Sequence, residues 1–271
     1  MAYSLSYGTS ITALTDCGTV DYGNMIVEAR DITAPPLQLD RVTLPAYHGG
    51  YQQGSYVGER TISFSAVLSG TSWADVLDKL DTFNGLADPT ACDGYLLFGD
   101  QPDRAWYGRF MGGHVGHPLG PRAMRLSLEF ACRESLAYDM TEDTQTLTIT
   151  VAAEAFTVPA AGSVRGNAAC YPTYLLKNTS GGAFNFSLTN GTEWLTIPNI
   201  PDGGWVRATW PLYLELSEDN GSTYASCMNK SSNSEPQFIP LSGGSSNTLT
   251  VYAIGGTPTG TLDLTYRGRW V

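Results

Sequence analysis

Enzymatic chemistry needs acids, bases or nucleophiles at convergent positions, so the scarce residues come first. There are three histidines. His48 lies in a Gly/Tyr-rich stretch, while His114 and His117 form an H-x-x-H beside Pro118. Two His three apart could donate to a metal, but no adjacent Cys or carboxylate set completes a ligand sphere, and loop structure is the simpler reading. Asp100 and Asp103 flank a Pro-containing turn, where Asx side chains commonly bond the backbone; as calcium ligands or a catalytic carboxylate pair they would need further acids. Beyond residue 140 there is no histidine, which excludes a Ser-His-Asp hydrolase housed entirely in the C-terminal half. The five cysteines, Cys17, Cys92, Cys132, Cys170 and Cys227, are scattered without a C-x-x-C pair and read as buried free thiols.

Phosphate and nucleic-acid chemistry are equally unsupported. Gly49-Gly50, Gly112-Gly113 and Gly243-Gly244 lack the spacing and the Lys of a Walker loop, and no βαβ context surrounds them. Twenty-six acidic residues against fifteen basic ones leave a net charge of −11, a surface that repels nucleic acid and anionic membrane. No apolar run approaches the roughly 18 to 20 residues that span a bilayer, and the N-terminus has no signal-peptide pattern, so synthesis in a cytoplasm is expected. Five N-x-S/T matches, beginning at Asn178, Asn185, Asn190, Asn220 and Asn229, read as turn chemistry. Trp194, Trp205 and Trp210 read as core packing, with stacking on sugars as the alternative.

The elements that must carry these residues are mostly strands. Only 15% of the 271 residues are charged, while 30 Gly, 15 Pro and 15 Tyr favour turns and pleated surfaces over helices. Residues 1–140 hold 16 acidic and 9 basic side chains, a net of −7, and residues 141–271 hold 10 and 6, a net of −4. The polar stretch from Tyr138 to Asp143 separates two strand-like segments and suggests domains at 1–140 and 141–271. In the first, the alternating runs Leu37–Leu44 and Arg60–Leu68, joined by a Gly/Tyr/Gln loop over Ala46–Gly58, read as one long hairpin. One helix is expected from Ser72, with Trp73, Val76, Leu77, Leu80 and Phe83 as a packing stripe and Gly85 with Asp88-Pro89 as its stop. Strands follow at Gly94–Phe98, Ala105–Met111 and Arg125–Cys132. The second domain alternates short strands with turns about every ten residues, including runs at Trp205–Leu216 and Gln237–Pro240, which argues for a β-sandwich.

The segment Arg41-Val42-Thr43-Leu44-Pro45-Ala46-Tyr47-His48-Gly49, followed by Gly58-Glu59-Arg60-Thr61-Ile62-Ser63-Phe64, resembles the N-terminal domain of the phage distal tail proteins. The helix, the Leu96–Arg104 strand and turn, and the Phe130-Ala131-Cys132 strand follow in that family's order. The closing Leu264–Trp270 strand is similar to the family's galectin-like C-terminal domain. The resemblance implies a mainly β protein: a β-sandwich or barrel-like ring domain with one helix and a hairpin arm, then a galectin-like sandwich. It implies a structural virion protein of a long non-contractile tail tip, with no enzyme activity, cofactor or metal.

By the same resemblance, the N-terminal domain forms a homo-hexameric ring between the tail tube protein and the tail-associated hub protein. The C-terminal domain holds side fibres or receptor-binding proteins, and DNA passes without specific binding. Leu44, Pro45, His48, Gly49, Gly58, Glu59 and Arg60 fall on the family's hairpin pattern, which reaches over a neighbouring subunit; Ala46-Tyr47 departs from the usual Gly and basic residue. With Tyr47, Tyr51 and Tyr56 at its tip, the hairpin suits an intersubunit arm, because Tyr offers large contact area at low entropic cost. An oligomeric glycan-binding sandwich is the alternative function, and a glycan hydrolase is the enzymatic rival.

Overall fold

The structure is a computed structural model. It describes all residues except 1, 33–36, 44–49, 91–92, 113–114, 211–212, 229–237 and 256–257, and for 37–43 and 50–57 it describes the backbone. Two compact units emerge, Met1–Met140 and Thr141–Trp270.

The strands of the first unit are β1 (Leu5–Ser10), β2 (Ala13–Asp16), β3 (Ile26–Asp31), β4 (Leu37–Thr43), β5 (Gly50–Val57) and β6 (Arg60–Ser69). After helix α1 (Trp73–Leu86) come β7 (Gly94–Phe98), β8 (Arg104–Phe110), β9 (Val115–Gly120) and β10 (Ala123–Ile149). Pairing runs β1–β7–β8–β10–β6–β3, every pair antiparallel. Tyr3, just ahead of β1, exchanges both backbone hydrogen bonds with Val27 of β3, at 3.3 and 2.9 Å. That bridge joins the two ends of this run and closes it into a barrel, with β2 and β9 left as outer strands paired on one side.

Alternation sends one face of each strand inward. Leu96 and Phe98, Ile62, Phe64, Ala66 and Leu68, and Leu126, Leu128 and Phe130 are all buried. Phe110 is the hub of this core, with ring centroids 5.1 Å from Tyr7, 5.3 Å from Phe130 and 5.6 Å from Phe83, all edge-to-face. Each such ring contributes roughly 1.5–3 kcal/mol by burial.

Helix α1 brings Phe83 to that hub. Ser72 caps it as expected, its hydroxyl accepting from the Asp75 amide at 3.2 Å. The packing stripe is narrower than the periodicity suggests: Val76 and Phe83 are buried, whereas Leu77 is 40% exposed. Nor does Gly85 stop the helix, which continues to Leu86 and ends at Ala87, whose amide donates to the Phe83 carbonyl. Inside a helix, glycine costs only about 1 kcal/mol.

The hairpin also differs from expectation. β4 pairs with β5, within the stretch read as a loop, while β6 pairs with β3 and β10. β4 and β5 form a separate two-stranded sheet. Gly50-Tyr51-Gln52-Gln53-Gly54-Ser55-Tyr56 has no period-2 apolar pattern, so its sequence gives no strand signal. The polar stretch Tyr138–Asp143 is likewise no break between strands, since β10 continues through it.

The second unit begins with the end of β10 and adds β11 (Ala153–Val158), β12 (Thr173–Asn178), β13 (Phe184–Thr189), β14 (Trp194–Ile200) and β15 (Trp205–Thr209). It continues with β16 (Tyr213–Ser217), β17 (Ala225–Ser226), β18 (Asn247–Ile254) and β19 (Gly260–Trp270). One sheet runs β17-β16-β15-β12-β19, with β10 on the far side of β19; the other runs β11-β18-β13-β14. Their inner faces share one core that includes Leu176, Phe186, Leu188, Leu195, Val251 and Leu264. This is a two-sheet β-sandwich.

The Trp205–Leu216 run is two strands rather than one. Phe238–Pro240, read as part of a strand, has no strand pairing, although Phe238 and Ile239 are buried and the Ile239 carbonyl accepts from the Tyr174 hydroxyl at 2.7 Å. Buried Asn178 serves the turns: its amide donates to the carbonyls of Gly182, Ile200 and Pro201 at 2.8–2.9 Å.

Candidate intersubunit surface

The hairpin arm emerges from the barrel between the end of β3 and the start of β6. Of the residues assigned to it, Leu44, Pro45, Tyr47, His48 and Gly49 lie outside the described residues, and Tyr51 and Tyr56 are placed on β5 by backbone alone. Gly58, Glu59 and Arg60 are described in full and form the arm's root. Gly58 is buried, its carbonyl accepting from the Ser135 hydroxyl at 2.8 Å, and Glu59 is exposed.

Arg60 is only 3% exposed. Opposite Cys132 in the β6–β10 register, it faces inward, and its guanidinium carbon sits 4.7 Å over the Trp106 ring. Its Nε is buried without a hydrogen-bond partner. Desolvation lowers the Arg60 pKa from its ordinary value, and burial pushes the Cys132 thiol up to about 12 against the pull of the Arg60 charge. Arg60 therefore acts from within its own chain, clamping the arm's root to the barrel through a cation–π contact.

Around the root, the barrel wall is held by ion pairs. Asp93 accepts from Arg109 Nε and Arg133 Nε, both at 2.6 Å, and these bonds, that of Arg109 foremost, hold its carboxyl below the usual carboxylate range. Arg30 donates to Asp100 at 2.8 Å and lies 4.5 Å over the Phe98 ring. Asp103 pairs with Arg104 at 3.3 Å. Asp100 and Asp103 thus engage arginines, where the sequence suggested backbone-bonding turn carboxylates; the turn itself is closed by main-chain bonds from Gln101 to Phe98 and from Arg104 to Gln101.

Two features of the wall face outward. All six residues of β9 are exposed, Val115 and Leu119 by about half, and Met111 just before it by 55%. Beside β9 lies an open groove of about 460 Å³, lined in part by Asp31, Ser63, Ser65, Ser127, Glu129 and Val115. His117 sits on β9, while His48 and His114 lie outside the described residues. Among the described residues no group of three His, Cys, Asp or Glu is placed to hold a metal, and no helix is long and apolar enough to cross a membrane. Cys17, Cys132, Cys170 and Cys227 are buried free thiols; Cys92 lies outside the described residues.

Residues 20–132, which include the arm and most of the barrel, match the family model described as the phage tail protein RIFT-related domain. Among solved structures, the Dit (gp 19.1) protein of SPP1, described as a paradigm of the hub adsorption apparatus in phages infecting Gram-positive bacteria, is similar at a TM-score of 0.67. The two chains are 17% identical, and the alignment covers 99% of each. A chain of the phage p2 baseplate in its activated conformation with Sr aligns over 97% of both chains at a TM-score of 0.49 and 8% identity. No curated protein sequence matches the chain. The chain thus matches a phage tail RIFT-related domain in sequence over residues 20–132 and shares the fold of the SPP1 Dit protein along nearly its whole length.

Proposed function

We propose that this chain is a structural protein of a phage tail tip, and that residues 1–140 assemble head-to-tail into a hexameric ring. The observation that carries this reading is the β4–β5 arm, a two-stranded sheet that hydrogen-bonds no other strand of its own described chain. Such a ribbon is marginal in water and exposes two edges. A neighbouring copy would cover it, and a heterologous contact of this kind closes into a ring when its rotation divides the circle. The half-exposed apolar residues Met111, Val115 and Leu119 beside the open groove supply further surface for such a contact.

In the ring, Leu44, Pro45, Tyr47, His48, Gly49, Tyr51 and Tyr56 are the arm's contact residues, and Gly58, Glu59 and Arg60 are its root. The ring joins the tail tube protein to the tail-associated hub protein. The sandwich of residues 141–271, read as galectin-like, projects side fibres or receptor-binding proteins. The virion tail tip is its location, and it performs no catalysis. The net −7 of residues 1–140 would keep a passing genome from condensing on the ring wall. The −7 supports free passage only through side chains that face the lumen. Electron microscopy of the purified chain tests the reading: sixfold rings with an axial opening support it, and isolated single-chain particles overturn it.

A further inference from the structure

The sandwich carries an uncharged outer sheet face of its own. On β11, β18, β13 and β14, alternate residues turn outward, and their register sets Ser187 between Thr196 and Tyr252, while Thr189, between Trp194 and Thr250, is buried with its hydroxyl donating to the Glu193 carbonyl at 2.6 Å. None of the outward residues of these four strands is charged, in a chain whose net charge is −11. Glu154, the one acid within β11, lies on the opposite alternation.

Across β13, the Trp194 and Tyr252 rings stack at 5.6 Å with 23° between their planes. Trp194 remains 42% exposed, contrary to the core position its residue type suggests. Ser187 and Thr196 share a hydroxyl–hydroxyl bond of 2.9 Å beside the stack, and Asn185 is exposed next to them. On the far side of Tyr252 the sheet drops to Ala153, its cross-strand partner.

An aromatic ridge flanked by hydroxyls and a low alanine step, without charge, suits a ligand that offers C–H faces and hydroxyl groups together. An anion would find no cation here. A protein partner would need a broader apolar centre than one Trp, one half-buried Tyr and Ile254 provide. We propose that this outer sheet face binds a neutral polysaccharide, with the exposed side of the Trp194 indole as its platform.

The proposal is independent of the ring. Its test is affinity electrophoresis of the full chain in native gels containing neutral glucans or galactans, with polygalacturonate as the anionic comparison. At least one neutral polysaccharide should retard the chain, and polygalacturonate should not. Trp194→Ala should weaken that retardation about tenfold or more, as loss of a central Trp anchor does. Trp194→Phe should retain part of it, and Trp210→Ala all of it, with melting temperatures confirming that each variant is folded. Equal retardation of folded Trp194→Ala and the parent chain would overturn the proposal, as would no retardation by any neutral polysaccharide. A Trp194→Ala change in native mass without polysaccharide binding would assign the face to protein contact and overturn it too. A monomeric chain that is still retarded would sink the ring alone.

Discussion

Arg60 and Trp106 join the arm to the barrel: a guanidinium from the first residue of β6 lies 4.7 Å over an indole in β8, and both side chains are almost fully buried. The arginine is held there with one nitrogen unsatisfied, so the contact favours position over stability. Arg60→Met, which keeps the length and removes the buried charge, should change unfolding free energy by less than about 1 kcal/mol or raise it. Trp106→Ala should cost about 3–5 kcal/mol. Urea denaturation of both variants checks the pair.

Removing the arm should separate folding from assembly. The barrel closes through Tyr3 and Val27, and the β4–β5 sheet pairs with none of its strands. A chain lacking residues 47–58 should therefore unfold cooperatively near the parent's midpoint, yet sediment as a monomer. Rings that persist after the deletion would contradict the arm's assignment.

Acid should loosen the barrel wall at Asp93. Its carboxyl is held below the ordinary value of about 4 by Arg109 and Arg133. A carboxylate depressed in the folded state contributes stability above its unfolded pKa and loses it as pH falls through the folded value. Stability should decline from about pH 4 downward, and Asp93→Asn should flatten that decline while lowering stability at pH 7. The arginines are partly solvated, so the effect should be modest and shrink with salt. Thermal melts at pH 3 and pH 7, at two salt concentrations, check this.

The thiols should be silent until the chain unfolds. Burial raises Cys17 and Cys132 to about 12 and Cys170 to about 11, and Cys227 is buried as well. Because the thiolate is the reactive form, Ellman's reagent at pH 8 should titrate at most Cys92 in the native chain and all five thiols in guanidinium.

Much of the barrel was legible because its strands have one wet and one dry face. Arg60–Leu68 and Arg125–Cys132 alternate cleanly, and the structure buries the apolar residues that pattern selects. Ser72 was legible as a cap because its hydroxyl has a defined local partner. Where burial does not impose a period, the reading failed. β5 reads as a loop because its Gly, Tyr and Gln residues carry no apolar alternation. The closure at Tyr3 and Val27 is a single bridge and leaves no pattern. Arg60 is assigned to the arm by resemblance alone, yet the alternation of β6 already sets it in phase with the buried Ile62 and Phe64, and the structure buries it there. The exposure of Trp194 and Trp210 was equally hidden, since the residue type gives the same signal in a core and on a platform.

Native mass spectrometry of the purified chain tests the central claim most directly. A ring of six copies of 29.1 kDa should appear at about 175 kDa. A single species at 29.1 kDa, at concentrations where the chain is folded, would contradict it.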